Sequence, residues 1–354
     1  LNLTDLGWNK YFEESFKSFA DKDYIVGKIF IEQRHLYGIY TELGEYQGEI
    51  SGKMRYEAEK TGDFPVVGDF VVLTPIHNEK KAIIHAVLPR KSKFSRKAAG
   101  VQTNEQVLAS NFDTVFIVTS LNGDLSLRRL ERYLTMAYES NANPVIVLSK
   151  ADLCTDIEGK LCQVEAVAIG TPIHVISTVD GRGIDDIKKY LKNGMTAVVL
   201  GSSGVGKSTL INYIAGEELL LTGSIREYDD TGRHTTTHRQ LVKLPTGGFI
   251  IDTPGLREFQ LWDGSEGIQE TFKDIQEIAK GCKFRDCRHD KEIGCAVKAA
   301  IEEGILDAKR LESYNKLQRE LRYLEGKQNQ LIRMNGKKRV KDLCKAIKNI
   351  SKKR

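Results

Sequence analysis

Gly201-Ser202-Ser203-Gly204-Val205-Gly206-Lys207-Ser208 fits G-x-x-x-x-G-K-[ST], the spacing that wraps backbone amides around a phosphate chain. The glycines let successive N–H groups converge on phosphate oxygens, and a helix opening at that point adds its positive end. The apolar run Thr196 to Leu200 reads as a strand leading in, and Thr209 to Ile214 reads as a helix leading out. In that setting Lys207 reaches the β- and γ-phosphates of a nucleotide, and the Ser208 hydroxyl ligates Mg²⁺.

Further along, Asp252-Thr253-Pro254-Gly255 closes the apolar run Phe249 to Ile251. An acid at a strand end is placed to hold Mg²⁺ directly or through water, and Gly255 allows its N–H to approach a γ-phosphate. Between the two motifs lies Gly232-Arg233-His234-Thr235-Thr236-Thr237, in a polar stretch that reads as a loop. Thr235 or Thr236 is expected to complete the Mg²⁺ shell. Thr237 fits that role or the start of the following strand equally well.

Ser149-Lys150-Ala151-Asp152 follows the predicted strand Pro144 to Leu148 and resembles the N/T-K-x-D element that reads guanine. A carboxylate at Asp152 accepts from guanine N1–H and from its N2 amine. Adenine has no N2 amine and presents an acceptor at N1, leaving the carboxylate unpaired. Lys150 is expected to lay its stem along the base. Ser149 replaces the usual Asn; its shorter hydroxyl is expected to lose one bond to the base or to the phosphate loop, worth roughly 0.5–1.5 kcal/mol. Ser177-Thr178, after the run Ile173 to Ile176, fits the loop that backs the base. In GTPases of ordinary order the phosphate loop comes first; here Asp152 and Ser177 precede Gly201. The same sheet is built if the chain is cut and rejoined, because domain termini lie close together.

Cys282, Cys287, His289 and Cys295 make C-x4-C-x-H-x5-C. Three thiolates and an imidazole supply the four ligands of a structural zinc site with no open position for catalysis. Cys154, Cys162 and Cys344 are scattered, and no disulfide framework is implied.

These residues need elements to hold them. Apolar runs at Thr114 to Val118, Pro144 to Leu148, Pro172 to Ile176 and Ala197 to Leu200 alternate with helical stretches such as Leu127, Leu130, Leu134 and Ala137. That alternation predicts a mostly parallel sheet covered on both faces, completed by strands at His238 to Leu244 and Gly248 to Ile251. Before it, Ile25 to Ile31, Leu36 to Tyr40, Val66 to Leu73 and Ala82 to Val87 read as short strands of a small barrel, of OB or SH3-like type. Trp8, Tyr11, Phe12, Phe16 and Phe19 recur at helical spacing, which predicts a short docked helix. Ile301, Ile305, Tyr314, Leu317, Leu321 and Leu324 suggest one or two amphipathic helices packed on the body.

The 354 residues carry a net charge of +5, distributed unevenly. From Lys327 to Arg354 there are eleven Lys or Arg and one acid, Asp342, so that segment holds +10 and the rest −5. A concentrated basic segment suits a polyanionic partner through counterion release. A smaller cluster, Arg90, Lys91, Lys93, Arg96 and Lys97, falls at an expected domain boundary. No apolar run approaches the length of a membrane span, and the first residues do not read as a signal peptide. A cytoplasmic location and a monomeric state are expected.

Shifted GTPase motifs, a preceding small barrel and C-x4-C-x-H-x5-C together resemble the ribosome small-subunit-dependent GTPase A family, from about Tyr24 to Leu324. Gly232 to Thr237 is similar to that family's G-R-H-T-T-T segment; Ser149 departs from its N-K-x-D. The resemblance implies a multidomain chain: an N-terminal OB-type β-barrel, a central circularly permuted α/β P-loop GTPase domain and a C-terminal helical zinc-binding domain. The expected division is a helical segment over 1–23, the barrel over 24–89, a basic linker over 90–110, the GTPase domain over 111–262, the zinc domain over 263–330 and a basic tail over 331–354. It further implies GTP and GDP as ligands, the small ribosomal subunit and its rRNA as partners, and GTP hydrolysis stimulated by the subunit during late maturation. Many GTPases place a Gln after D-x-x-G to orient water. Leu256 stands there, so His234 or a ribosomal group is expected to supply that orientation. A P-loop nucleotidase acting on free RNA is the competing enzyme class; a binding module with a relic GTPase domain conflicts with intact Lys207, Ser208 and Asp252.

Overall fold

The computed structural model describes residues 2–19, 23–33, 36–76, 79–97, 105–123, 125–219, 239–252 and 265–326. Its first strands, β1 (Ile25–Gln33), β2 (Leu36–Thr41), β3 (Gly44–Ile50), β4 (Phe70–Ile76) and β5 (Lys81–Val87), follow one another in the order β1-β2-β3-β5-β4, and β4 closes on β1. Pairing is antiparallel except between β3 and β5. That closure removes both sheet edges and has the order of an OB-type barrel. Ile29, Ile39, Tyr46, Met54, Leu73 and Ile84 fill the interior. Met54 comes from a short helix between β3 and β4, Gly52–Glu57, whose start is capped by Ser51 Oγ accepting Met54 N–H at 3.1 Å.

The N-terminal aromatics form helix α1 (Lys10–Phe16), capped by the Asn9 side chain. Its Phe12 ring lies 4.5 Å from that of Phe70, and Trp8 meets Phe70 edge-on at 5.3 Å, so the segment docks on β4. The helix between β3 and β4 is α2 in chain order.

After the barrel, the stretch expected as a basic linker carries an antiparallel hairpin, β6 (Lys93–Lys97) with β7 (Glu105–Ser110). Its basic residues are dispersed into ion pairs: Arg90 with Asp69 at 2.8 Å, Lys91 with Asp113 at 3.1 Å and Lys93 with Glu105 at 2.6 Å. Asp69 is fully buried and also accepts from Ser110 Oγ and Val66 N–H, so Arg90 pins hairpin to barrel.

The nucleotide-type sheet runs β10-β9-β8-β11-β13-β12, built from β8 (Thr114–Ser120), β9 (Asn143–Ser149), β10 (Ile173–Val175), β11 (Thr196–Leu200), β12 (Gln240–Lys243) and β13 (Phe249–Asp252). All neighbours are parallel except β12 with β13. Every residue of β8 and β11 is buried, as continuous apolar runs require in a sheet covered on both faces. Val115 and Ile117 face a core shared with helix α3 (Leu127–Glu139), while Phe116 and Val118 face one built with α5 (Ile184–Lys188) and α6 (Lys207–Ala215). Helix α4 (Ile157–Glu165) joins β9 to β10. At the far edge, β12 touches β1 of the barrel at Ile31 opposite Gln240, making one continuous sheet.

The C-terminal module comprises α7 (Ser265–Thr271), α8 (Lys273–Ala279), the cysteine-bearing loop, α9 (Ala296–Glu302) and a helix over 308–326. It packs on α3 so closely that a Cβ on Gly267 would stand 2.2 Å from the Thr135 carbonyl oxygen.

Candidate functional site

The phosphate-loop motif sits between β11 and α6, at the end of a fully buried central strand. Gly201 leaves the strand with φ +150°, and a Cβ there would lie 2.3 Å from the Val118 carbonyl oxygen. Only glycine lets the loop turn this close to β8. Gly206, at φ 98°, caps α6 without a side-chain acceptor, so the first N–H groups of that helix open toward the loop. Ser208 and Thr209 lie in the first helical turn. Ser203 and Gly204 are exposed at the rim, and Val205 is buried beneath them.

Cations converge on this loop. Lys207 Nζ donates to the carbonyls of Gly201 at 2.9 Å and Ser202 at 2.6 Å. Lys150 Nζ donates to the Gly204 carbonyl at 2.7 Å, and Arg129 Nη1 to Ser202 Oγ at 2.5 Å. The first two are the positions a phosphate-binding lysine and a base-stacking lysine were expected to serve. Arg129 was not foreseen: a helical arginine in the run Arg128-Arg129-Leu130-Glu131-Arg132 reads as a solvated face.

Ser149, Lys150, Ala151 and Asp152 end β9 and turn directly over the phosphate loop. The Ser149 hydroxyl is buried and donates to the Val205 carbonyl at 2.6 Å, so the serine keeps a link to the loop despite its shorter reach. Lys150 adopts the left-handed conformation at φ 59°, which turns the chain so that Ala151 N–H meets the Ile176 carbonyl at 3.1 Å. Asp152 is exposed, and its Oδ1 accepts from Ser177 Oγ at 2.8 Å. Ser177 is itself fully buried and accepts from Val179 N–H, which fixes its direction; Thr178 is half-buried beside it. One Asp152 oxygen is thus oriented by protein while the carboxylate stands at the surface.

Asp252 ends β13, which runs parallel to β11 with Val198 opposite Ile251, so its backbone lies beside the strand that feeds the phosphate loop. His234, Thr235, Thr236, Thr237, Gly255 and Leu256 lie outside the described residues.

The four zinc-type ligands come together. Their donor atoms all lie within 4.8 Å of one another, with Cys282 Sγ 4.0 Å from Cys295 Sγ, and His289 Nδ1 3.7 Å and 3.4 Å from those two sulfurs. Metal–sulfur bonds of ~2.3 Å at tetrahedral angles set sulfurs about 3.8 Å apart, so the cluster is compatible with a zinc ion. His289 takes the left-handed conformation, φ 60°, to bring Nδ1 inward. A residue that sequence reading missed shapes this turn: the Glu292 carboxylate accepts from the N–H groups of Arg288, Asp290 and Lys291 at 2.9–3.0 Å. Those backbone bonds hold its pKa down at about 2.

A phosphate loop clasped by base-reading loops that precede it in the chain, on a parallel sheet, defines a circularly permuted P-loop GTPase. Residues 87–262 match the family model described as RsgA GTPase. The chain is 49% identical over 299 residues to Small ribosomal subunit biogenesis GTPase RsgA 2 of Lactiplantibacillus plantarum, covering 84% of each chain. It is 46% identical over 320 residues to RsgA 1 of Oceanobacillus iheyensis, covering 90% of this chain and 91% of that one. Among solved structures it resembles YjeQ from Thermotoga maritima, with TM-score 0.64 and 29% identity over 84% of this chain and 98% of that one. It also resembles YloQ, a circularly permuted GTPase, with TM-score 0.62 and 25% identity over 84% of this chain and 95% of that one. The chain belongs to the RsgA GTPase family. Among the described residues no helix is long and apolar enough to cross a membrane.

Proposed function

We propose that this protein hydrolyses GTP in the course of small ribosomal subunit biogenesis, with the subunit stimulating turnover. The observation that carries the nucleotide half is the clasp of Ser149 and Lys150 on Val205 and Gly204, which sets Asp152 at a fixed place relative to the phosphate loop. The ribosomal half rests on relatives named for small ribosomal subunit biogenesis over 84–91% of their length.

In this reading Asp152 accepts from guanine N1–H and N2, with Ser177 keeping the carboxylate aimed. Lys207 exchanges the carbonyls of Gly201 and Ser202 for β- and γ-phosphate oxygens. The N–H groups of Ser203 to Thr209 cradle the phosphate chain. Ser208, Asp252 and a hydroxyl from Thr235 or Thr236 hold Mg²⁺, which neutralises charge developing on the phosphates. Gly255 donates to the γ-phosphate, and His234 or a group on the ribosome orients the attacking water in place of the Gln that Leu256 replaces. The Cys282, Cys287, His289 and Cys295 cluster holds a structural zinc. The chain divides at the boundaries the sequence suggests, with 90–110 joining barrel to GTPase domain, and the tail over 331–354 meets rRNA. The protein works in the cytoplasm as a monomer.

Because the permutation leads β13 on toward the C-terminal module, the nucleotide state is expected to set how that module meets the subunit. Co-sedimentation with purified small and large subunits tests this. Retention on small subunits with a non-hydrolysable GTP analogue, and release with GDP, is the expected result. Equal retention in both states, or equal binding to free RNA, would contradict it.

A further inference from the structure

Helix α3 is held from two sides. On one, three of its residues grip the C-terminal module: Arg128 pairs with Asp307 at 2.9 Å, Glu131 with Arg310 at 3.0 Å, and Arg132 with Glu320 at 3.0 Å. Arg310 continues into the module through two bonds to the Asp274 carboxylate, at 2.7 and 2.8 Å. On the other side, Arg129 of the same helical turn reaches Ser202 Oγ at 2.5 Å. Ser202 is the phosphate-loop residue whose carbonyl Lys207 also holds, at 2.6 Å. The contact from Arg129 reaches Ser202 from outside the loop and through its side chain, so it does not depend on the Lys207 bond to the Ser202 carbonyl.

The geometry points to Arg129 as a positioning residue that transmits the placement of the C-terminal module, through α3, to the phosphate loop. A packed helix moves as one body, so a shift of the module against Arg128, Glu131 and Arg132 moves the Arg129 anchor by a similar amount. The joint has spare acceptor capacity: Glu131 is fully buried, its Oε1 serves both Arg128 and Arg310, and its Oε2 has no hydrogen-bond partner among the described residues. A module pressed by a partner can therefore re-seat this ion network.

The inference rests on the proposed stimulation by small subunits and deepens it. Its test is GTP turnover by the full chain with and without purified small subunits, expressed as the stimulation ratio. Wild-type protein is measured first; absence of stimulation there would overturn the functional reading itself, separately from the role of Arg129. Given stimulation, Arg129→Met is expected to lower the ratio about tenfold, and Arg129→Lys, which keeps the charge on a slightly shorter side chain, to restore part of it. Glu320→Gln loosens the module's grip at a half-buried pair away from the phosphate loop; it is expected to leave unstimulated turnover unchanged and to lower the ratio about threefold. Combined with Arg129→Met it is expected to add nothing, as two breaks in one chain of contacts do. An unchanged ratio in Arg129→Met, or losses that multiply in the double variant, would overturn the proposal.

Discussion

Ser149 and Asp152 show how far a motif can be read and where it stops. The place of Asp152 just past the end of a buried strand was legible from the apolar run and the motif that follows it. The destination of the Ser149 hydroxyl was not, since its partner is the carbonyl of Val205 in a segment 56 residues away that only folding brings near. Arg129 was equally hidden, as its neighbours in sequence are charged and its partner is a loop serine. Asp152→Asn replaces an acceptor by an amide donor, which suits the C2 carbonyl of xanthine. GTP affinity should fall roughly 100-fold and affinity for the xanthosine nucleotide should rise, read by competition against a fluorescent nucleotide. Ser149→Ala removes the bond to Val205 and should weaken GTP binding by about 1 kcal/mol, roughly fivefold, with base preference unchanged. An unaltered affinity in that variant would mean Lys150 alone holds the clasp.

At the scale of elements, the parallel sheet was legible and parts of the barrel were not. The buried runs of β8, β9 and β11 stand out because both faces are covered. Strand β3 does not, because Glu45, Gln47 and Glu49 face outward between Tyr46, Gly48 and Ile50, leaving a short alternation with glycine in it. The hairpin β6–β7 was masked by Lys93, Arg96 and Lys97, whose charges suggested a linker, while Phe94 supplies the buried position and stacks on Phe112 at 4.8 Å. The cysteine loop was readable in its ligands, but the three backbone bonds to Glu292 depend on a turn that no periodicity announces. If the loop is held by zinc, purified protein should carry about one zinc per chain, and Cys282→Ser or strong chelation should remove it. Limited proteolysis should then cut near 282–295 first, leaving the barrel intact. Metal-free protein as resistant as the native form would contradict a structural role for the ion.

For the molecule as a whole, barrel and GTPase domain meet around one buried lysine. Lys28 of β1 donates to the Leu6 carbonyl at 2.8 Å and Thr196 Oγ1 at 2.9 Å, and its ammonium lies over the rings of Phe70 and Phe249. Thr196 begins the strand that ends in the phosphate loop, so three segments distant in sequence share one cation. Burial pulls the Lys28 pKa down to about 8, with Asp113 opposing the shift. The unfolded chain keeps that proton up to about pH 10.4. Between those values the unfolded state binds more protons, so folding stability rises with pH across that window, by on the order of 3 kcal/mol in total. Denaturant unfolding from pH 7.5 to 10.5 should show that rise in the wild type and lose it in Lys28→Met. Parallel curves for the two proteins would contradict it. None of this was legible beforehand, because a lone lysine in a strand reads as solvent-facing.

The central claim joins a guanine-reading site to a ribosomal stimulus. Its most direct test is nucleotide hydrolysis with GTP and with ATP, each with and without purified small ribosomal subunits. The account predicts slow GTP turnover that rises strongly on addition of the subunits, and no turnover of ATP in either condition. GTP hydrolysis indifferent to small subunits, or comparable hydrolysis of ATP, would contradict it.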